Sequence, residues 1–352
     1  MKIEKTSKSI AERGEAPIFA LDTIGLTQSQ IVRKRFFQHK GAITSIFMLI
    51  FIYLLVYTSL GFKIGPLNIH GWWKYTSTDL PELKFCKDGT VGCPTFSLWP
   101  KFLGGAGIGM GDHPFGQDDI GRDYFALVMR GTQRSLLVTV IIGAIAGSIG
   151  TVVGAVSGYF GGKIDAILMR FVDFLITIPA IIIGAVVGYH FGNLGVTFLA
   201  FYLGLFSWTG LSRLVRGEFL TLRERDFVDA ARVAGASSRR IIFKHILPNA
   251  VGIIIVSVTL LMSGAILLET ALSYLGFGVV APDVSLGLLI SQYQDSFTTR
   301  PWLFWWPGFF IITIALSINF IGDGLRDAFD PRQRRRLSFK DKALARSMKR
   351  GA

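Results

Sequence analysis

The chain has 352 residues, of which 51% are hydrophobic and 17% charged, and its mean hydropathy is +0.48. Soluble domains carry about 25% charged residues, so this composition excludes an ordinary soluble protein and predicts an all-α polytopic membrane protein. The formal net charge of +13 does not indicate a nucleic-acid partner. The excess of Lys and Arg falls in three separate patches, 1–40, 213–250 and 323–352, whereas a nucleic-acid footprint forms one contiguous face.

The first patch, residues 1–40, is predicted to be an N-terminal segment outside the membrane. Thr27 and Gln30 have the spacing of a capping box, which predicts a short basic and aromatic helix reaching Phe37. That helix would either lie at the membrane interface or form a solvated extension. The first apolar run begins near Gly41, too late for a secretory signal, so the first span is expected to direct insertion.

Six apolar runs reach the ~20 residues that a helix needs to cross a bilayer. An even number of spans places both termini on one side, and the positive-inside rule then places all three basic patches in the cytoplasm. The first span lies within 41–61, and 136–322 forms the transmembrane core, followed by the basic tail 323–352. The predicted spans are Ala42–Leu60, Leu136–Tyr159, Ile167–Gly188, Val196–Val215, Val251–Leu272 and Leu303–Ile321.

The long segment 62–135 is then predicted to be an extracytoplasmic loop or subdomain. Loops longer than about 60 residues escape the charge rule, so its Lys and Arg residues do not contradict this topology. The segment contains the chain's two cysteines, Cys86 and Cys93. On an oxidising face of the membrane they would close a small disulfide loop; two free thiols are the alternative.

Glycine and proline patterns indicate how two of the spans pack. Pro179 removes a backbone hydrogen bond inside the third span, which predicts a bend. The spacing of five glycines in the second span puts most of them on one stripe, where a neighbouring helix can approach closely. General enrichment of glycine in membrane helices is the alternative explanation. These residues are Gly143, Gly147, Gly150, Gly154 and Gly158.

No pattern predicts that this chain is an enzyme. Residues 157–164 approach a Walker A motif but lack its first Gly and its Ser or Thr. The five histidines lack metal-ligand spacing, and no nucleophile motif is present, so no catalytic residue, cofactor or metal is assigned. Four acids, Asp165, Asp173, Glu269 and Asp323, lie near span ends, where they are expected to anchor the interface. Because the span centres are apolar, an ion-coupled carrier is disfavoured.

The segment 213–250, between the fourth and fifth spans, predicts a cytoplasmic helix-turn-helix. Gly235 is expected to end the first helix with a positive φ, Ser237 or Ser238 to cap the second, and Pro248 to stop it. Helical spacing puts one apolar face on the first helix, suited to a groove in a soluble partner. That face comprises Phe227, Ala230, Ala231 and Ala234.

This hairpin resembles the EAA loop of ABC importer permeases. The pattern of that loop is Glu-Ala-Ala, three residues, Gly, nine residues, Ile, one residue, Leu-Pro. Asp229 stands in place of the Glu, and His245 occupies the Ile position, as in the dipeptide/oligopeptide/nickel branch. The remaining matching residues are Ala230, Ala231, Gly235, Leu247 and Pro248.

Three further stretches, 113–136, 272–287 and 322–331, are similar to that branch, and the resemblance covers about 33–332. It implies a type I ABC importer permease fold, the C-type subunit of a peptide importer, in a bacterial-type plasma membrane. The implied partners are a homologous permease, two ATPase subunits that bind ATP and magnesium, and an extracytoplasmic solute-binding protein. No role is inferred for the insertion 62–111.

Other functions remain alternatives to a peptide importer subunit. The same branch includes permeases for nickel and other small solutes. A stand-alone secondary carrier or channel would transport without an ATPase, and a membrane-anchored receptor or scaffold would act through 62–135. Copurification of an ATPase subunit separates these classes, because only an ABC permease is expected to retain one.

Overall fold

The computed structural model describes residues 28–64, 67–86, 89–96, 109 and 111–329. The predictions for the N-terminal segment before Gln28, for Thr27 of the capping box and for the tail from 330 onward lie outside these residues. Within the described residues the chain is mostly helical, with one antiparallel two-stranded ribbon.

The elements are numbered here in chain order. Short 3₁₀ turns at Gly192–Leu194 and Gln294–Phe297 and a π-helical turn at Ile241–Ile246 lie between them. They are α1 (Gln28–Gln38), α2 (Lys40–Leu60), β1 (Gly61–Ile64), β2 (Leu67–His70), α3 (Tyr124–Phe160), α4 (Gly162–Thr177), α5 (Ala180–Phe191), α6 (Val196–Phe206), α7 (Thr209–Leu222), α8 (Asp226–Val233), α9 (Ser238–Arg240), α10 (Leu247–Tyr274), α11 (Leu286–Tyr293) and α12 (Trp302–Phe329).

The six predicted spans correspond to four single helices and two bent pairs of helices. Four described helices are long and apolar enough to cross a bilayer alone, whereas α4 with α5 and α6 with α7 do so as pairs. The first pair bends by 73° beside Pro179, which precedes α5, as predicted. The second bends by 41° near Ser207, whose hydroxyl donates to the carbonyl of Leu203. Such back-bonding by Ser bends helices.

The second span begins twelve residues before the predicted Leu136. Asp123 caps α3, since its carboxylate accepts the N–H of Ala126 at 2.9 Å, and the helix runs for 37 residues, roughly 55 Å. The prediction was wrong because the first turns carry Arg130, Gln133 and Arg134. These polar residues look like loop in sequence, but neighbouring elements cover them in the fold.

The glycines of α3 divide between two neighbours instead of forming one stripe. Gly143 and Gly147 face side chains of α10, while the other three lie against α7. A Cβ built on Gly154 would stand 2.5 Å from the carbonyl oxygen of Ser212, and one on Gly158 would stand 2.6 Å from the Cβ of Phe219. Missing side chains therefore allow α3 and α7 to approach closely. The predicted close approach holds for the three glycines that face α7.

The two ends of the helix bundle are named after the segments that lie at each end. The described residues between 71 and 123 cover the end where α3 begins, called the loop end. The hairpin 226–246 lies where α3 finishes, called the hairpin end. The described N- and C-terminal helices also meet at the hairpin end, because a Cβ on Gly324 would lie 2.4 Å from Ala42 and one on Gly252 2.6 Å from Phe329.

Candidate coupling surface at the hairpin end

Helix α8 ends in a Schellman motif built on Gly235. The N–H of Gly235 donates to the carbonyl of Arg232 at 2.9 Å, and that of Ala236 to the carbonyl of Ala231 at 3.0 Å. Gly235 has a φ of 74°, a conformation that costs little only for glycine. The prediction that Gly235 ends the first helix with a positive φ is confirmed.

One face of α8 is buried against the chain's own bundle. Val228 and Ala231 enter an apolar cluster with residues of α7 and of the segment that leads into α10. Ala231 was predicted to face the partner together with Phe227 and Ala230, and this part of the prediction was wrong. Ala231 lies three residues after the buried Val228, so its side chain projects towards the same side of the helix. The other members of the cluster are Ala155, Leu211, Val215, Phe219, Ile241, Ile242, Ile246 and Ala250.

The face of α8 that is turned away from the bundle is exposed and carries apolar residues beside the charged Asp226 and Asp229. Phe227 is 39% exposed and Val233 91%, and the small residues Ala230 and Ala234 are exposed between them. Phe243, on the π-helical turn, adds a further exposed ring at 59%. Exposed apolar groups gathered on one short helix mark an interaction surface, and the two alanines leave room for a close approach.

The remaining motif residues surround this surface but do not converge on a chemical centre. Asp229 is exposed and pairs with Arg232 on its own helix at 2.9 Å. His245 is partly buried in the π-helical turn, Leu247 packs against the apolar cluster, and Pro248 is exposed. The motif residues therefore lie around an exposed, partly apolar surface at the hairpin end.

Two predictions about the second helix of the hairpin were wrong. Ser237 occupies the N-cap position of α9, but its side chain makes no capping hydrogen bond. Pro248 does not stop the helix, because it lies two residues after the π-helical turn, where the backbone hydrogen bonds already depart from the α-helical pattern. The π-helical turn joins α9 to α10, so a continuous helix runs from Ser238 to Tyr274.

Two arginines of α7 and Arg223, which directly follows it, fix the base of the hairpin, a feature that the sequence analysis missed. Arg216 binds Asp165 through two hydrogen bonds of 2.5 and 2.6 Å, and Arg213 pairs with Asp173. Arg223 donates to the carbonyl of Gly158 at 3.3 Å. The signal was present, since Arg213 of the predicted fourth span needed a partner in a membrane, and Asp173 stood in the predicted third span.

At the loop end, Asp123 is the centre of a buried polar cluster. Its two carboxylate oxygens bind Nδ1 of His113 and Nε1 of Trp73, each at 2.8 Å. Burial raises the pKa of this carboxyl, while its hydrogen bonds oppose the shift. Nearby, the ring of Phe115 stacks on Trp306 with centroids 3.8 Å apart. The stretch 113–123 thus fixes the start of α3 to α12.

Two other features of the loop end bear on the predictions. Cys86 and Cys93 form a disulfide in the structure. Glu269 was expected to anchor the interface, but it is fully buried and accepts hydrogen bonds from Ser135 at 3.0 Å and Ser273 at 2.8 Å. The interface prediction for Glu269 was therefore wrong, because a serine cluster on two helices satisfies the carboxylate inside the bundle.

Residues 150–335 match the family described as binding-protein-dependent transport system inner membrane component. That match covers more than half of the chain. The chain belongs to this family. It is therefore a multi-pass inner-membrane transport component, and the resemblance identified from the hairpin is confirmed. The matched region includes both helices of the hairpin and all of α10.

Three curated relatives are similar in sequence to between 63% and 89% of this chain. An oligopeptide transport system permease protein OppC from Haemophilus influenzae is 37% identical over 87% of this chain and 89% of its own. The Escherichia coli OppC is 34% identical over 89% and 94%, and one from Mycobacterium tuberculosis is 45% identical over 63% and 77%. A solved structure of the MetNI methionine ABC transporter covers 58% of this chain and 96% of that chain at 20% identity, with a TM-score of 0.49.

Proposed function

We propose that this chain is the permease subunit of an ATP-driven ABC importer for peptides and forms half of the translocation pathway. The relatives named as oligopeptide permeases support peptides over nickel as the solute. The observation that carries the coupling role is the exposed apolar face of α8, held rigidly by the buried face of the same helix.

The proposed complex contains a homologous second permease, two ATPase subunits and an extracytoplasmic solute-binding protein. ATP and magnesium would bind to the ATPases. The hairpin end would face the cytoplasm, because the basic patch 213–250 lies there, as do the helices that connect to 1–40 and 323–352. The loop end, with its cysteine pair, would then face the oxidising side.

The hairpin suits mechanical coupling because both of its connections to the bundle are stiff. Three residues separate α7 from α8, and α7 is fixed to α3 and α4 by Arg216 and Arg223. On the other side, the helix continues from Ser238 through the π-helical turn to Tyr274. A displacement of α8 by a closing ATPase dimer would therefore move α7 and α10 as rigid bodies.

Val233→Glu tests the docking role, because Val233 is almost fully exposed in this chain and its replacement leaves the fold intact. Losing the burial of a Val side chain at an interface costs about 1.5–3 kcal/mol, or roughly 10- to 100-fold in affinity. We expect the variant to reach the membrane normally, to lose copurifying ATPase and to lose ATP-driven peptide uptake.

Leu80→Glu is the matched control, since Leu80 is 65% exposed but lies at the loop end. It introduces the same charge in place of an apolar side chain and should leave ATPase binding unchanged. Wild-type ATPase recovery with Val233→Glu would reject α8 as the docking helix. Peptide uptake by the wild-type chain without any ATPase would reject the ABC importer.

A further inference from the structure

Two arginines lie one helical turn apart at the loop end, outside the coupling surface. Arg130 and Arg134 share one face of α3 near the end of α2 and the loop 279–285. Arg134 pairs with Asp283 through Nη2 at 2.9 Å, with its side chain 25% exposed. Arg130 has a weaker partner, because its Nη1 donates to the neutral amide oxygen of Gln133 at 3.1 Å.

The positive charge of this arginine pair exceeds its compensation. Among the described residues, Asp283 is the one acid in ion-pair contact with either guanidinium. The Nε of Arg134 is buried and has no acceptor among the described atoms. Because this Nε is shielded within the protein, an incoming acceptor would meet the other nitrogens of the two guanidiniums, whose side chains are partly exposed. A carboxylate is the group whose two oxygens best match a guanidinium.

The surrounding elements hold both arginines in position. Gly131 lies between them, and a Cβ there would be 3.1 Å from the backbone of Ser285, so the loop lies directly on the helix. Ser135 accepts the N–H of Leu286 at 3.4 Å and donates to Glu269. Gln133 donates to two carbonyls at the end of α2, at 3.0 and 3.1 Å. The arginines therefore project from a fixed corner of three elements.

The exposed face of α3 beyond this corner carries no charge. Towards the hairpin end its exposed positions are small or apolar, so nothing there competes for an anion. The arginines thus form a cationic site at the loop end of an exposed helix face that is otherwise uncharged. These exposed positions are Val140, Ala144, Ser148 and Val152.

We infer that Arg130 and Arg134 bind the free α-carboxylate of a peptide as it enters the bundle from the loop end. This rests on the proposed peptide import. Every linear peptide has this carboxylate whatever its sequence, so the two guanidiniums would orient diverse peptides in the same way. Arg134 already holds one carboxylate, that of Asp283, and Arg130 would supply the charge for a second.

The test uses the complete transporter in proteoliposomes and compares one peptide as its free acid and as its C-terminal amide. The measured quantity is the ratio of the two uptake rates at a subsaturating peptide concentration. Selection by the solute-binding protein is common to all permease variants and cancels between them. Arg130→Gln should lower the acid-to-amide ratio about tenfold or more, the range for loss of a charge-assisted hydrogen bond.

Arg130→Lys is the conservative variant, and it keeps the charge without the planar donor pair. It should give an intermediate ratio, and it carries the test if Arg130→Gln fails to assemble. Lys163→Gln is the control. It removes one exposed charge at the hairpin end, where Lys163 has no ion pair within the described part of the chain, and should leave the ratio unchanged.

The outcomes separate this inference from the proposed function. An unchanged ratio in Arg130→Gln, with robust wild-type uptake, overturns the carboxylate site and leaves the importer intact. Equal loss of both peptides, together with loss of the ATPase stimulation produced by the peptide-free binding protein, would assign the arginines to an acidic group of that protein instead. Absence of ATP-driven peptide uptake by the wild-type complex would reject both.

Discussion

The close contact of α3 with α7 makes Gly154 a sensitive position for both stability and coupling. A Cβ there would lie 2.5 Å from the carbonyl oxygen of Ser212 and 2.7 Å from the Cβ of Val215. Ordinary contact begins at 3.4 Å, so Gly154→Ala requires the two helices to separate by about 0.9 Å, the difference between these distances. Such overpacking costs about 1–3 kcal/mol.

Gly217→Ala provides the control for this substitution. Gly217 lies on α7, and a Cβ there meets nothing within 4 Å. Both variants gain the roughly 1 kcal/mol by which Ala exceeds Gly in a helix, so the difference between them isolates the packing cost. We expect Gly154→Ala to unfold at a lower temperature than Gly217→Ala in purified, detergent-solubilised protein.

The same variants report on coupling, because α7 leads directly into the hairpin. A shift of α7 displaces α8 relative to its docking partner, so Gly154→Ala should reduce the peptide imported per ATP hydrolysed, whereas Gly217→Ala should not. Equal thermal stability of the two variants would refute the close contact of α3 and α7. Lower stability with unchanged coupling would show that α7 does not transmit the motion.

Three further predictions concern single residues. Gly235→Glu should abolish uptake at normal membrane abundance, because the φ of 74° costs a residue with a Cβ about 1–2 kcal/mol; wild-type uptake would reject the docking role. Cys86 and Cys93 should resist alkylation until a reductant is added, and full labelling of the unreduced protein would show two free thiols. Asp123→Asn should lower the unfolding temperature, because one amide oxygen replaces two carboxylate oxygens and losing a bond to a charged group costs about 1.5–3 kcal/mol. Since burial raises the pKa of Asp123, the part of the stability that depends on its protonation is present below about pH 3.9 and is lost as pH rises through the folded value. The Asn variant should lack that dependence, and an unchanged pH profile would contradict this reading.

Local chemistry predicted the parts of the fold that depend on a few neighbouring residues. Six apolar runs predicted six spans because the bilayer requires every crossing segment to satisfy its own backbone. Pro179 and Gly235 predicted a bend and a helix end because each restricts or permits its own backbone angles. The hairpin pattern led to the family for the same reason, since its spacing is contained in about 20 adjacent residues.

Contacts between distant segments decided the rest. Leu136 looked like the start of a span because Arg130 and Arg134 precede it, yet Asp283, about 150 residues later, provides the partner that lets the helix begin earlier. Glu269 looked like an interface residue until Ser135 of another helix satisfied it. Ala231 turned inward because the apolar cluster on α7 and the π-helical turn lies on that side.

The amino-acid sequence by itself therefore determined the membrane class, the apolar segments that can span a bilayer and the place of the hairpin. These follow from hydrophobicity and backbone restriction, which act within one segment. Only the tertiary structure decided which face of α8 is available to a partner, which acids are buried and how α3 is anchored. Those properties depend on the groups that surround a side chain, and folding brings such groups together from far along the chain.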